Sequence, residues 1–276
     1  MDGKASPLKP PDKPAWAWSH ALNQVVLLAL TRLAQARLAV LDYVLPGAVE
    51  WIFMGLLLML LALMALAMAR KRMTYVWWEA VLLALAYGGV WILALSVLPV
   101  WLAVIVAAAV TLAPFVWPRV WCNDLALLIG CVGVGLEAAR PFPYAALLVC
   151  AAGVALYEAL RARDAGLATL LSEAWHAGVA PGLLVPAGWR GWAAPLTSVW
   201  QPGQGLVAGL LPFMAVSSMG FVAAVRGPYV FAAYALAVVI LSLLIGTDAK
   251  ARLRPWAFPA VGAACFAVMG LAQIFV

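Results

Sequence analysis

The chain is a succession of apolar stretches about twenty residues long, each cut off by a proline or a small cluster of basic residues. A helix of about 20 apolar residues is what the hydrocarbon layer of a bilayer demands, and lipid offers no partners to backbone groups that a helix does not satisfy itself. Folded in water, such stretches would need a polar cover. Of 276 residues 67% are apolar and 10% charged, whereas a soluble domain carries about 25% charged residues. That composition excludes a soluble enzyme and a disordered tail. The net charge of +6 comes from short basic clusters between apolar stretches, as in the loops of a membrane protein, so nucleic acid is excluded as a partner. The expected partner is the lipid bilayer, and the expected location is the cell membrane, crossed many times.

The stretches predict nine spans, near 18–43, 49–69, 75–96, 98–116, 122–139, 143–162, 205–225, 229–246 and 256–275. The first is interrupted by Gln24, Arg32, Gln35 and Arg37, which leaves a span or an interfacial amphipathic helix open there. Alternating the loops gathers Lys4, Lys9, Lys13, Arg70, Lys71, Arg72, Arg119, Arg161, Arg163, Arg190, Lys250, Arg252 and Arg254 on one side. Outside the first span, the opposite side receives Arg140 and Arg226. The positive-inside rule makes the first side cytoplasmic, with the N-terminus inside and the C-terminus outside. Four parts follow: a cytoplasmic polar arm at 1–17, a six-helix part at 18–163, a cytoplasmic loop at 164–204 and a three-helix part at 205–276. The arm lacks the pattern of a cleaved signal and is expected to persist.

The long loop holds an amphipathic piece at 167–175, an extended run at 182–186 and the tryptophans Trp175, Trp189, Trp192 and Trp200. Indoles suit the headgroup level, and loops of this length in tight folds are often functional.

Few residues offer chemistry. Cys122, Cys131, Cys150 and Cys265 show no ligand spacing and read as small buried hydrophobes. His20 and His176 stand far apart, so neither a metal site nor a cofactor is expected. Gly88, Gly89, Gly130, Gly133 and Gly135 read as close helix packing. The intramembrane acids are the functional candidates. Asp124 opens the fifth span beside Asn123, Glu137 closes it, Glu79 lies in the third, and Glu158 lies near the end of the sixth with Arg161 at i, i+3 as a ready ion-pair partner.

Several segments, taken in order, resemble the presenilin and signal peptide peptidase family of intramembrane aspartyl proteases, its archaeal members in particular. PGAVEWIFMGLLLMLL looks like the second span, WCNDLALLIGCVGVGLE the fifth and PYAALLVCAAGVALYEALRAR the sixth. LATLLSEAWHAGVAPGLLVPAGW is similar to the loop, GLVAGLLPFMAVSS to the seventh span, and FPAVGAACF to the PAL region opening the ninth. The resemblance implies an all-α, nine-span membrane protein and a pair of facing aspartates, one ionised and one protonated. The aspartate of the YD motif falls on Glu158 after Tyr157, a carboxyl group displaced by a methylene, and misplacement on that scale costs about 100-fold. The GxGD motif falls on Gly205, Leu206, Val207 and Ala208. Alanine neither activates water nor donates a proton.

What the resemblance implies is therefore a pseudoprotease that binds transmembrane helices or a membrane protein subunit. Tyr157, Gly205, Pro259, Ala260 and Val261 would shape the substrate site, and the run at 182–185 would pair with an unwound substrate by strand addition. Glu158 and Ala208 should approach each other near the cytoplasmic face. The alternatives are an active protease pairing Glu158 with Asp124 as a relocated second acid, and a transporter, channel or scaffold subunit.

Overall fold

Proline and glycine set the helix ends in the computed structural model, which describes residues 13–38, 73–139, 154, 182–186, 189–196, 205–208 and 210–247. Helix α1 spans Lys13–Leu38, α2 Met73–Val97, α3 Val100–Val116 and α4 Val120–Ala139. Strand β1 (Leu183–Pro186) and a helical turn α5 (Trp189–Trp192) precede strand β2 (Gly205–Ala208), and α6 (Leu210–Arg226) and α7 (Pro228–Thr247) follow. Pro99 caps α3 at its start, Pro118 separates α3 from α4, and Pro228 opens α7. That last position suits proline, because the first turn of a helix has no use for its missing N–H. Gly227, at φ +134°, supplies the turn between α6 and α7.

Helix α4 is the centre. It packs against α1, α2, α3, α6 and β1, and its residues from Val120 to Leu136 are mostly buried. The closest approach is to α2. A Cβ placed on Gly130 would land on the carbonyl of Ala86, and one on Gly133 would land on the carbonyl of Gly89. Small residues let two backbones approach in this way. The glycine reading therefore holds for Gly89, Gly130 and Gly133, and for Gly135, where a Cβ would lie 2.6 Å from Ser217 Oγ. Gly88 differs, with nothing within 4 Å.

These contacts fix directions. Ala86 meets Gly130 and Gly89 meets Gly133, so α2 and α4 run parallel. His20 stacks edge-on against Phe213 at 5.6 Å, while Thr31 meets Ser217, so α1 runs parallel to α6. Cys131 faces the Leu210 carbonyl and Gly135 faces Ser217, so α6 also runs parallel to α4. Helices α3 and α7 return antiparallel after short turns at Leu98-Pro99 and at Gly227. The first helix belongs to the bundle: Leu27 and Thr31 are fully buried, and α1 packs on α7, α6 and α4.

Some polar side chains inside the bundle are paired across helices. Thr31 Oγ1 donates to the Leu27 carbonyl at 2.8 Å, which spends its one proton, so Ser217 Oγ donates to Thr31 at 3.0 Å. Tyr234 on α7 donates to the Val216 carbonyl at 2.9 Å. Thr31→Val is expected to lower unfolding stability by about 1 kcal/mol, the net worth of one hydrogen bond. A thermal melt checks it.

The all-α expectation stands, with one two-stranded sheet added. Among the described residues one helix, Val120–Ala139, is long and apolar enough to cross a membrane. Helices α3 and α6 are apolar but 17 residues long. The expected second, sixth and ninth spans and the polar arm lie wholly or mostly outside the described residues.

One boundary is corrected. The seventh span was expected to begin at 205, but residues 205–208 form a strand and the helix starts at Leu210. These four residues pair antiparallel with β1, Leu183 opposite Ala208, Leu184 opposite Val207, Val185 opposite Leu206 and Pro186 opposite Gly205. The ladder takes the backbone groups that a helix would have used.

Candidate functional site

Strand β1 is fastened on both of its edges. One edge carries the ladder to β2. On the other, Leu184 N–H donates to Asp124 Oδ1 at 2.9 Å, and Asn123 Nδ2 donates to the Gly182 carbonyl at 3.5 Å. Amide groups alternate sides along a strand, so residue 186 would also present its N–H on this edge. Residue 186 is proline and has none. The sequence Gly-Leu-Leu-Val-Pro therefore leaves a single outward N–H within the strand, and Asp124 accepts it.

Asp124 sits in the second turn of α4 and is 1% exposed. Its carboxyl oxygens also face amide donors, Asn23 Nδ2 at 3.4 Å from α1 and Asn123 Nδ2 at 3.4 Å. A carboxyl group placed in an apolar bundle needs such partners. Here they join α1, α4 and β1 at one point. Around them lie Leu184, Val120 and Leu196, a small apolar cluster covered by Trp192 and Ala194.

A second attachment lies next to the first. Val120 N–H donates to the Ala194 carbonyl at 3.2 Å, and Leu196 N–H donates to the Pro118 carbonyl at 2.8 Å. Arg119 donates to the Ala193 carbonyl and bridges Pro195. Residues 182–184 and 193–196 are thus seated along the start of α4, between Pro118 and Asp124.

Among the expected site residues, the structure brings Asp124 and the strand holding Gly205 and Ala208 to the same end of the bundle. Asp124 holds Leu184, whose neighbour Leu183 is opposite Ala208 in the register. Ala208 stands in β2, two residues before α6 begins. Tyr157, Glu158, Pro259, Ala260 and Val261 lie outside the described residues, and so does the expected approach of Glu158 to Ala208. Among the described residues there is no group of three or more His, Cys, Asp and Glu side chains able to hold a metal ion.

Sequence reading missed Asn23 and the backbone N–H of Leu184 as partners of Asp124. Asn23 carried a signal, since an amide inside an apolar span needs a partner. Its partner is 101 residues away, a distance at which local pattern says nothing.

The described residues form a helical bundle with a short sheet seated on the start of its central helix. Comparison with models of known protein families, with curated proteins and with solved structures finds no match.

Proposed function

We propose that the chain is a presenilin-like membrane protein of nine helical spans that has lost peptidase chemistry and keeps the recognition of transmembrane helices. Bound helices are held by their unwound ends, as an extended strand added to the sheet. The observation that carries this reading is a hydrogen-bonded strand, Gly205–Ala208, running directly into a helix at the place where the resembling family carries its second aspartate, with alanine in that aspartate's position.

Helix directions agree with the alternation these spans would have. Helices α1, α2, α4 and α6 would be spans one, three, five and seven, and they run one way, while α3 and α7, as spans four and eight, run the other. Seventeen residues at 1.5 Å each make about 25 Å, the short end of what crosses a bilayer. The outward faces fit lipid. Val100, Trp101, Ile105, Phe115 and Val116 on α3 are exposed, as are Leu236, Ile240 and Leu244 on α7, large apolar side chains of the kind that lipid covers. Arg119 and Arg190 stand at the end that the positive-inside rule makes cytoplasmic.

Chemistry supports the loss of activity. An aspartyl protease needs two carboxyl groups sharing one proton, and the methyl of Ala208 supplies none. Asp124, the other candidate, already faces Leu184 N–H and two amides. Because β1 is engaged on both edges, an added strand pairs with β2. This moves the docking edge from the run at 182–185, where the sequence placed it, to Gly205–Ala208.

The test is a cleavage assay with purified protein in bilayers, a single-span helical substrate, and Glu158→Gln alongside. The expected result is no cleavage, with the substrate co-purifying. Cleavage that disappears in the Gln variant overturns the reading and makes the protein a protease using Glu158 and a relocated acid, with Asp124→Asn as the next variant.

A further inference from the structure

We propose that Asp124 and Asn123 form a latch that holds β1 in place before any partner arrives, so that the sheet is pre-built rather than assembled on binding. The inference rests on the recognition reading above for its purpose, but its geometry stands independently of it.

Three observations carry it. The outward edge of β1 has one N–H, that of Leu184, and Asp124 Oδ1 takes it at 2.9 Å. The carbonyl at the start of the strand, Gly182, is held by the neighbouring residue Asn123 at 3.5 Å. The same carboxyl group is buttressed from α1 by Asn23 at 3.4 Å, so the latch is fixed to two helices and not to one flexible side chain. A two-stranded sheet is marginal on its own. The latch adds to the thin side of that sheet a rigid surface with a matched acceptor and donor.

A pre-built sheet changes what binding costs. An extended segment that must order a disordered edge loses affinity to that ordering, and a rigid edge avoids the loss. In this arrangement Asp124 acts through the strand and does not touch the partner. It is a positioning residue.

What holds Leu184 is an acceptor oxygen, so asparagine, which keeps one, should substitute for aspartate, while leucine, of similar size, should not. Hydrogen–deuterium exchange on the full-length protein in detergent, without any partner, reads the strand through the amides of Leu183 to Val185, and reads overall folding through those of Ile129 to Leu136 in α4. Asp124→Leu is expected to speed exchange of the strand amides at least tenfold while the α4 amides stay protected. Asp124→Asn is expected to stay within about threefold of the native protein, the net size of a weakened single hydrogen bond. Asn123→Ala, which spares the carboxyl group, is expected to fall between them.

Strand exchange unchanged in Asp124→Leu overturns the latch. Asparagine as damaging as leucine also overturns it, because charge and not the acceptor would then matter. Capture of a biotinylated single-span peptide by the same variants separates the two proposals. Faster strand exchange with capture reduced by tenfold or more supports both. Faster exchange with unaltered capture supports the latch and removes the sheet from recognition.

Discussion

Gly130→Val is expected to leave no folded protein. At this position α4 lies against the backbone of α2, and any Cβ falls on the Ala86 carbonyl, with the carbonyl carbon 2.6 Å away. A clash with a flexible side chain is relieved by a rotamer change. A clash with backbone is relieved only by separating the helices. Overpacking a core costs about 1–3 kcal/mol, and more where the backbone must move. Separating α2 from α4 also uncovers Gly89 and Gly133, so the cost falls on the whole interface. Against a total stability of about 5–15 kcal/mol, even Gly130→Ala should lower the melting temperature sharply. Gly88→Val is the matched control. It lies one residue from Gly89 on the same helix, has nothing within 4 Å, and should change stability by less than about 0.5 kcal/mol. Size-exclusion profiles and thermal melts of the three variants in one detergent decide the matter. An intact, monodisperse Gly130→Val protein would show that the two helices do not meet as described.

The second large effect is expected at Tyr234. Its ring is fully buried between α1, α6 and α7, and its hydroxyl donates to the Val216 carbonyl at 2.9 Å. Tyr234→Ala removes a large side chain from a junction with nothing to fill the space, a loss of about 3–5 kcal/mol for buried aromatic residues. Tyr234→Phe keeps the ring and removes only the hydrogen bond, which costs about 1 kcal/mol. The difference between the two variants separates packing from polarity. Equal losses would mean that the hydroxyl, not the ring, holds α7 to α6.

The helices were legible because their ends are written in residues with a fixed backbone meaning. Pro99, Pro118 and the Gly227-Pro228 pair fall at the turns of the structure. The glycines of α4 announced a close helix contact, since glycine weakens a helix, though not that its partner is α2. The extended run before Pro186 also read correctly, as proline biases the preceding residue toward extended backbone. Strand β2 was not legible. Gly-Leu-Val-Ala followed by an apolar helix looks the same as that helix begun four residues early, and a short apolar run carries no period to tell strand from helix. What makes it a strand is β1, a partner some twenty residues away. Likewise Asp124 stood out as an intramembrane acid, but its role depends on the one outward N–H of β1 and on Asn23, which no local pattern connects to it. The dyad positions were read through Ala208 by resemblance alone, and Glu158 lies outside the described residues.

The contrast between two contacts of the bundle bears on how the molecule can change shape. Toward α2, α4 meets backbone with backbone, a joint that admits neither sliding nor rotation without collision. Away from α4, α1, α6 and α7 meet around Gly220, where the neighbours of a Cβ would be the side-chain tips of Thr31 at 3.2 Å, Leu28 at 3.5 Å and Tyr234 at 3.6 Å. Tips can change rotamer, and the hydroxyl pair of Thr31 and Ser217 can part and reform at little cost. The α2–α4 joint therefore resists repacking, whereas the junction of α1, α6 and α7 around Gly220 can adjust by rotamer. The sheet is tied to both regions, through Asp124 of α4 and, behind it, Asn23 of α1.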